Sequence, residues 1–287
     1  MFVRRRAEHN GPMAPPPPPS DPRNEAFWRD FLTHGDSMEN IGRRVFKHIP
    51  SDPRCKLCAA PFRGPGAPLM RLIGKAPSET NPKMCTSCFT FLRAHHGGAE
   101  IEGTMLFADI RGSTTLAETM SPGDFHDLLD RFYTVASQAV FDHDGTVDKF
   151  VGDELVSLFF PLIAGERHAE RAVSGARAVL RATGHADPAG PWVPVGAGVH
   201  TGTAWFGAVG SGDHVELTAV GDAVNVAARL ASVAGAGEIV VSADAAQAAH
   251  LPDDLPRTAL ELKGKQESIE VVRLLMQPGR ASRSDQR

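Results

Sequence analysis

Four cysteines are the residues whose types and spacing point most directly to chemistry. They form two pairs, Cys55-Lys-Leu-Cys58 and Cys85-Thr-Ser-Cys88, and the sequence has no other cysteine. Two C-x-x-C turns can bring four thiolates to one tetrahedral metal ion. The segment between the pairs is rich in proline and glycine, so a metal would supply stability that a large core cannot. The spacing predicts one structural Zn²⁺, with an iron–sulfur cluster or redox-active dithiols as alternatives.

Two aspartates follow strand-like apolar segments or tight turns. Asp109 ends the segment 104–108 and precedes Ile-Arg-Gly-Ser-Thr, whereas Asp153 comes directly after Gly152. If their segments are neighbouring strands, the carboxylates can hold paired Mg²⁺ ions that bridge a triphosphate. Each aspartate alone is weaker evidence, because an aspartate in a turn is more often a capping or loop residue.

A third segment, 216–230, carries an amide and a guanidinium at helical spacing. Asn225 and Arg229 are four residues apart in the predicted helix 222–233, so they lie on one face. These groups suit a ribose and the negative charge that develops on a phosphate. Taken alone, the segment also fits a capped helix with a solvent-facing arginine.

The elements that position these residues alternate between strand and helix patterns. We predict strands at 101–108, 145–150, 155–160, 193–200, 203–209, 215–219, 238–241 and 268–275, with a turn at Gly202 between two of them. We predict helices at 114–120, 122–141, 166–183 and 222–233, with Ser121 as the N-cap of the second. Several strands are linked as hairpins, which favours a mixed-sheet α/β or α+β domain over a Rossmann fold.

Composition limits the class of protein. The chain has 287 residues, a formal charge of −4 and 42% hydrophobic residues, as expected for a folded protein of one or two domains. The negative charge argues against nucleic-acid binding through bulk positive charge. No apolar run is long enough for a membrane helix, and the N-terminal arginines are followed by proline rather than a signal-peptide core. We therefore expect a cytoplasmic protein with reduced thiols.

The sequence divides into four parts. We predict a disordered proline-rich leader over 1–24, a helical and four-cysteine zinc-binding module over 25–98, a catalytic domain over 99–276 and a disordered tail over 277–287.

Together, the motifs closely resemble the catalytic domain of class III nucleotidyl cyclases. The matching pieces follow the family's order and are LFADIRGST (106–114), KFVGD (149–153), GVHTG (198–202) and VGDAVNVAAR (220–229). The resemblance covers about 99–276. It implies a ferredoxin-like α/β (α+β) domain that works as a head-to-tail homodimer, with each active site at the dimer interface.

The resemblance also implies a metal site. Asp109, the backbone carbonyl of Ile110 and Asp153 match the ligands of two Mg²⁺ or Mn²⁺ ions per active site. The implied reaction converts ATP to 3′,5′-cyclic AMP and pyrophosphate, through attack of the ribose 3′-hydroxyl on the α-phosphorus.

Four further positions match residues that bind or orient the nucleotide in this family. Lys149 and Thr218 match the purine-selecting pair, Asn225 the residue that orients the ribose, and Arg229 the arginine that stabilises the transition state. In the family these four and the metal ligands come from opposite protomers. Lys149 can donate to adenine N1 and Thr218 can accept from the 6-amino group, which favours ATP over GTP.

Two positions raise further questions. Gly196 stands where many family members have a phosphate-binding arginine, so triphosphate binding is weaker unless another residue such as Arg111 compensates. We interpret His200 as structural. Thr218 resembles a subgroup that includes bicarbonate-responsive enzymes, and a bicarbonate response is a hypothesis.

Other functions remain open from the sequence. They are a guanylate cyclase, a catalytically weak nucleotide-binding regulatory protein, and a diguanylate cyclase, because 151–155 echoes the turn of that family. The expected partners are ATP, a second copy of the chain and a regulator that contacts the zinc module. Neither membrane nor nucleic acid is expected as a partner.

Overall fold

The computed structural model describes residues 22–34, 53–211, 214–261 and 268–276, together with residues 42, 43, 45, 46 and 49. The predicted leader up to residue 21 and the predicted tail at 277–287 lie outside the described residues. The first helix begins at Pro22, inside the range expected to be disordered.

The described chain places its helices before and between the strands of one sheet. The helices are α1 (Pro22–Thr33), α2 (Ala67–Leu72), α3 (Thr86–Ala94), α4 (Ser113–Thr119), α5 (Pro122–Asp142), α6 (Pro161–Ala164), α7 (His168–Ala182), α8 (Asp222–Val233) and α9 (Ala243–Ala248). The strands are β1 (Gly97–Ile110), β2 (Thr146–Val151), β3 (Glu154–Phe159), β4 (Val195–Ser211), β5 (His214–Val220), β6 (Glu238–Ser242), β7 (Arg257–Leu260) and β8 (Ile269–Leu275). The predicted mixed sheet is confirmed.

Within the described residues, eight strands form a single sheet. Their order is β2-β3-β1-β4-β6-β8-β7, and β5 pairs with β4 beside this path. The pairing of β4 with β6 is parallel, whereas β1 pairs antiparallel with both β3 and β4. Two strand ends that carry predicted site residues, those of β1 and of the β2–β3 hairpin, therefore lie side by side.

Strand β1 separates two hydrophobic cores because its side chains alternate between the faces of the sheet. Met105 and Phe107 join the core that contains α1 and the cysteine segment, by which we mean residues 55–88. Leu106 and Ile110 join the opposite core, which is formed with α5 and α7. The cysteine segment thus packs directly on one face of the sheet.

The helix that supports the second core begins where the sequence indicates. The Ser121 side chain accepts a hydrogen bond from the Asp124 backbone N–H at 3.1 Å, and proline occupies the first position of α5. A capping hydroxyl followed by proline is a common start of a helix, because both satisfy or remove unpaired N–H groups.

One turn predicted from the sequence is absent in the structure. Gly202 does not separate two strands but lies inside β4, where it pairs with Gly103 of β1. A Cβ at Gly103 would meet the Phe206 ring 3.1 Å away or closer, so this glycine admits the ring. A Cβ at Gly202 would lie 3.1 Å from His200 Nε2 and 3.3 Å from the Ala223 Cβ, so this glycine leaves room for α8 rather than reversing the chain.

Among the described helices, none has both the length and the apolar character needed to cross a membrane.

Candidate active site and cysteine cluster

The four cysteines meet at one point, as their spacing predicts. Their sulfur atoms all lie within 4.8 Å of one another, and all four residues are buried. Cys58 Sγ and Cys85 Sγ are 3.7 Å apart, and the four thiols form no disulfide. A tetrahedral ion with metal–sulfur bonds of about 2.3 Å separates its sulfur ligands by about 3.8 Å, so the cluster fits such an ion.

Each cysteine pair is held by a different local structure. In the first, the Ala59 N–H donates to the Cys55 carbonyl at 2.9 Å, and Ala59 adopts a φ of 58° in the left-handed region. In the second, Cys85 caps α3, and its N–H donates to Cys55 Sγ at 3.3 Å. The two turns are therefore hydrogen-bonded to each other.

The four thiols of the cluster do not ionise alike. Burial opposes ionisation of Cys55, but hydrogen bonds with the other three thiols outweigh it and hold the Cys55 pKa well below its ordinary value. The hydrogen bond with Cys55 in turn raises the pKa of Cys58 and of Cys88. Burial also acts to lower the pKa of Lys75, yet the nearby cysteine charges raise it. Lys75 Nζ lies 3.9 Å from Cys58 Sγ, so the Lys75 ammonium can stabilise the negative charge of a thiolate.

The two predicted metal-binding aspartates lie at adjacent strand ends. Asp109 is paired across the strands with Glu154, the residue that follows Asp153 in the β2–β3 turn. Gly152 has a φ of 60°, which allows this turn to be tight. The Ile110 side chain is buried in the core, so this residue offers only its backbone to a ligand.

Three carboxylates and one guanidinium share this corner. Arg111 forms an ion pair with Asp109, and its Nη1 donates to the Ser232 carbonyl at 3.2 Å near the end of α8. Burial raises the pKa of Glu154 and the Asp153 charge adds to the rise, whereas Arg111 opposes it. The concentration of negative charge suits a divalent cation.

The turn that carries Asp153 is supported by α5. The Tyr133 hydroxyl donates to the Gly152 carbonyl, and its ring stacks on Phe150 with centroids 4.0 Å apart. Sequence reasoning did not single out Tyr133. Its position in an amphipathic helix gave no signal, because its partner is a backbone atom 19 residues away.

Lys149 and Thr218, the predicted purine-selecting pair, come together from β2 and β5. Lys149 Nζ lies 3.4 Å from Thr218 Oγ1, although the residues are 69 positions apart. Thr218 is buried, whereas the Lys149 side chain is exposed enough to reach a ligand.

Asp148 completes this group and was not singled out as a site residue from the sequence. One of its oxygens, Oδ2, accepts from Thr218 Oγ1 at 2.7 Å and lies 3.2 Å from Lys149 Nζ. The other, Oδ1, lies 3.2 Å from Lys56 Nζ. Burial lowers the pKa of Lys56, and the Asp148 and Glu216 carboxylates oppose that effect. The only sequence signal was a charged residue within a half-buried strand.

Asn225 and Arg229 lie on the helix that the sequence predicts, α8. The buried face of this helix includes Ala227 and Ala231 and packs against β4. A Cβ added at Gly198 of β4 would lie 2.6 Å from the Ala227 carbonyl, so the contact needs glycine. Asn225 is exposed and Arg229 half-buried, which leaves both available to a ligand.

The surroundings of Gly196 explain why this chain has no arginine there. A Cβ at this position would lie 2.8 Å from the carbonyl oxygens of both Ala234 and Gly235. Any side chain would require the backbone after α8 to move. The Arg111 guanidinium lies close by, since its Nη1 is 3.5 Å from the Ala234 carbonyl oxygen, and it is paired with Asp109.

His200 makes a structural contact. Its Nδ1 lies 2.8 Å from Ser242 Oγ, and the ring is buried between β4 and the start of α9. Its interpretation as a structural residue therefore fits the observed contact.

Comparisons with known proteins agree with the geometry. Residues 100–274, more than half of the chain, match the family model described as the adenylate and guanylate cyclase catalytic domain. Adenylate cyclase 1 of Rhizobium meliloti (strain 1021) is 33% identical over 192 residues, which are 63% of this chain and 29% of that protein. Adenylate cyclase of Anabaena cylindrica is 28% identical over 185 residues, 58% of this chain and 36% of that protein. The chain spans about a third of the length of these curated relatives.

Two solved structures share the fold. The adenylyl cyclase CyaB from P. aeruginosa is 27% identical with a TM-score of 0.54, and the match covers 64% of this chain and 97% of that one. The guanylyl cyclase Cya2 is 26% identical with a TM-score of 0.55, covering 65% of this chain and 98% of that one. The four cysteines precede residues 100–274, which match the family model.

Proposed function

This chain belongs to the adenylate and guanylate cyclase catalytic domain family, and we propose that it is an adenylate cyclase. The reaction is conversion of ATP to 3′,5′-cyclic AMP and pyrophosphate, in cyclic nucleotide signalling. The observation that supports adenine most directly is the pairing of Lys149 Nζ with Thr218 Oγ1 at 3.4 Å, a donor beside a hydroxyl. Adenine N1 accepts a hydrogen bond and its 6-amino group donates one, which matches this pair.

Asp109, Asp153 and the Ile110 carbonyl would hold two Mg²⁺ or Mn²⁺ ions. The donor set fits, because the carboxylates of Asp109, Asp153 and Glu154 lie at one corner with Arg111 as their cation. When bound, such ions activate the ribose 3′-hydroxyl and neutralise charge on the phosphates. The chain's own part is to hold these carboxylates at the ends of buried strands.

The remaining four residues bind and orient the nucleotide. Lys149 and Thr218 select the purine, Asn225 orients the ribose, and Arg229 donates to the phosphate oxygens as their charge develops. We propose that a homodimer joins these four residues of one protomer to the aspartates of its partner. The exposed apolar side chains of Val151 and Val220, beside the two groups, support a face that a second copy covers.

The cysteine cluster would hold one structural Zn²⁺, and its sulfur spacing supports this assignment. Equimolar zinc in a colourless protein is the expected result of elemental analysis. A brown chromophore near ~400 nm with bound iron would instead identify an iron–sulfur cluster. Four free thiols and an ATP substrate fit a cytoplasmic protein, and the module would also offer a surface to a regulator.

A direct assay tests the function. The purified full chain is incubated with ATP or GTP and with Mg²⁺ or Mn²⁺, and the products are identified by mass spectrometry. We expect cyclic AMP from ATP at a higher kcat/KM than cyclic GMP from GTP. The opposite preference would make the protein a guanylate cyclase, which the similarity to Cya2 keeps as the second candidate. No cyclic product from a folded dimer would overturn both assignments and favour a nucleotide-binding regulator.

A further inference from the structure

The backbone of Lys56 belongs to the cysteine segment, but its side chain reaches Asp148 in the cyclase domain. It is the residue after Cys55, inside the first C-x-x-C turn. Its ammonium lies 3.2 Å from Asp148 Oδ1 and 3.3 Å from the Asp148 carbonyl oxygen. Both side chains are almost completely buried, so this ion pair belongs to the interior of the protein.

The backbone of Lys56 is held from two sides. Its N–H donates to the Lys83 carbonyl at 3.0 Å, and its carbonyl accepts from Thr146 Oγ1 of β2 at 2.6 Å. The flanking Cys55 is bonded to the other cysteine turn. The position of the ammonium is therefore set jointly by the cysteine cluster and by the strand that carries Lys149.

Asp148 connects Lys56 to Thr218, because one of its carboxylate oxygens contacts Lys56 and the other contacts Thr218. Its Oδ2 accepts the hydroxyl proton of Thr218 at 2.7 Å. A hydroxyl has a single proton, so a Thr218 that donates to Asp148 offers only lone pairs to a ligand. An adenine 6-amino group can donate to those lone pairs, whereas the O6 of guanine is an acceptor and finds no proton there.

A buried carboxylate can hold this arrangement only if its charge is compensated. Lys149 also contacts Asp148, but its side chain is partly exposed and must reach the nucleotide. Lys56 has no such second task, because it is buried against Asp148. Lys56 therefore keeps the Asp148 carboxylate in place when Lys149 donates to the purine base of the nucleotide.

We propose that Lys56 is a positioning residue for purine recognition: through Asp148 it fixes the Thr218 hydroxyl as an acceptor and so makes the site select adenine over guanine. This inference rests on the proposed nucleotide-binding site. On this proposal, a residue of the cysteine segment contributes to the substrate specificity of the catalytic domain.

The test compares two nucleotides rather than one. The full-length protein with Lys56→Met, which keeps the length of the side chain but removes its charge, is assayed for kcat/KM with ATP and with GTP. The matched control is Lys83→Met, a neighbouring lysine in the same module with an exposed side chain. We expect the ATP-to-GTP ratio of kcat/KM to fall on the order of tenfold in Lys56→Met and to stay unchanged in Lys83→Met.

A purely structural role predicts a different result. If Lys56 only stabilises the fold, both substrates lose activity by the same factor and the ratio is unchanged, which would overturn the proposal. If Lys56→Met does not fold, the double variant Lys56→Met/Asp148→Leu removes both charges and leaves no buried ion. Leucine accepts no proton from Thr218, so the hydroxyl is free to donate to the O6 of guanine and the ratio must fall there as well. An unchanged ratio in this variant rejects the proposal.

Binding separates this proposal from the proposed catalytic activity. ATP and GTP are competed against a fluorescent ATP analogue, with Ca²⁺ as the divalent ion. A wild-type protein that binds ATP selectively but makes no cyclic AMP would contradict the adenylate cyclase assignment alone. Loss of that selectivity in Lys56→Met would still support the role of Lys56, and retention of it would refute that role.

Discussion

Asp148 and Asp109 are each paired with a cationic side chain, but their surroundings differ. Asp148 and Lys56 have side chains only 3% and 6% exposed, whereas Asp109 and Arg111 are 27% and 20% exposed. A buried pair cannot exchange its partner without leaving a charge in the interior. In a partly exposed pair, which we call the open pair, a metal ion can replace the arginine at the aspartate. The buried pair of Lys56 and Asp148 is thus suited to fix the geometry of a site. The open pair of Asp109 and Arg111 is suited to bind a ligand.

The largest expected effect comes from the two aspartates at the site of the open pair, Asp109 and Asp153. Asp109→Ala or Asp153→Ala should lower kcat by a factor on the order of 10³, because each removes a carboxylate ligand of the metals. The free energy of unfolding should change by less than about 1 kcal/mol. The control is Asp127→Ala, an exposed aspartate of α5. Near-normal turnover in either site variant would contradict the metal assignment.

Mixing two inactive variants tests whether the open site is shared between protomers. Asp109→Ala and Arg229→Ala should each be inactive, and a mixture should recover at most about a quarter of the wild-type rate. The reason is that half of randomly formed dimers are mixed and have one intact site of two. Product formation is measured after subunit exchange, with dimers verified by size. Dimers without any recovery would argue against shared sites.

Loss of the buried pair should lower the free energy of unfolding, whereas loss of the open pair should leave it nearly unchanged. Lys56→Met should lower the free energy of unfolding by about 3–5 kcal/mol, because it leaves the Asp148 charge without its buried partner. Adding Asp148→Asn should restore part of this loss, since no lone charge then remains. Urea denaturation followed by circular dichroism measures both values. A loss below about 1 kcal/mol would show that the pair is no more important than a surface one.

The smallest effect is expected at Arg111. Arg111→Gln should lower the Mn²⁺ concentration needed for half-maximal activity severalfold, because the guanidinium no longer competes for Asp109. Stability should change by less than about 1 kcal/mol, as for an exposed pair. A titration of activity against Mn²⁺ at fixed ATP gives the first value. A raised KM for ATP instead would indicate that Arg111 compensates for Gly196 by binding phosphate.

Much of the fold follows from local patterns. The predicted helix at 222–233 has the bounds of α8, and Ser121 caps α5 as expected, because caps and periodicity are properties of neighbouring residues. The turn at Gly202 was predicted wrongly for the same reason. A glycine is locally typical of a turn, but Gly202 lies inside β4, where a Cβ would come within 3.3 Å of Ala223 in α8.

For the candidate site, too, some features follow from the sequence and others only from the tertiary structure. The sequence by itself determined the residue types and order of the motifs, the cysteine spacing and therefore the family, since these are properties of the chain in one dimension. Only the tertiary structure decided that Lys56 meets Asp148 across 92 positions and that Thr218 gives its proton to Asp148. The physical reason is burial: which charges lose their water, and which partner then compensates them, is settled only when distant segments pack together.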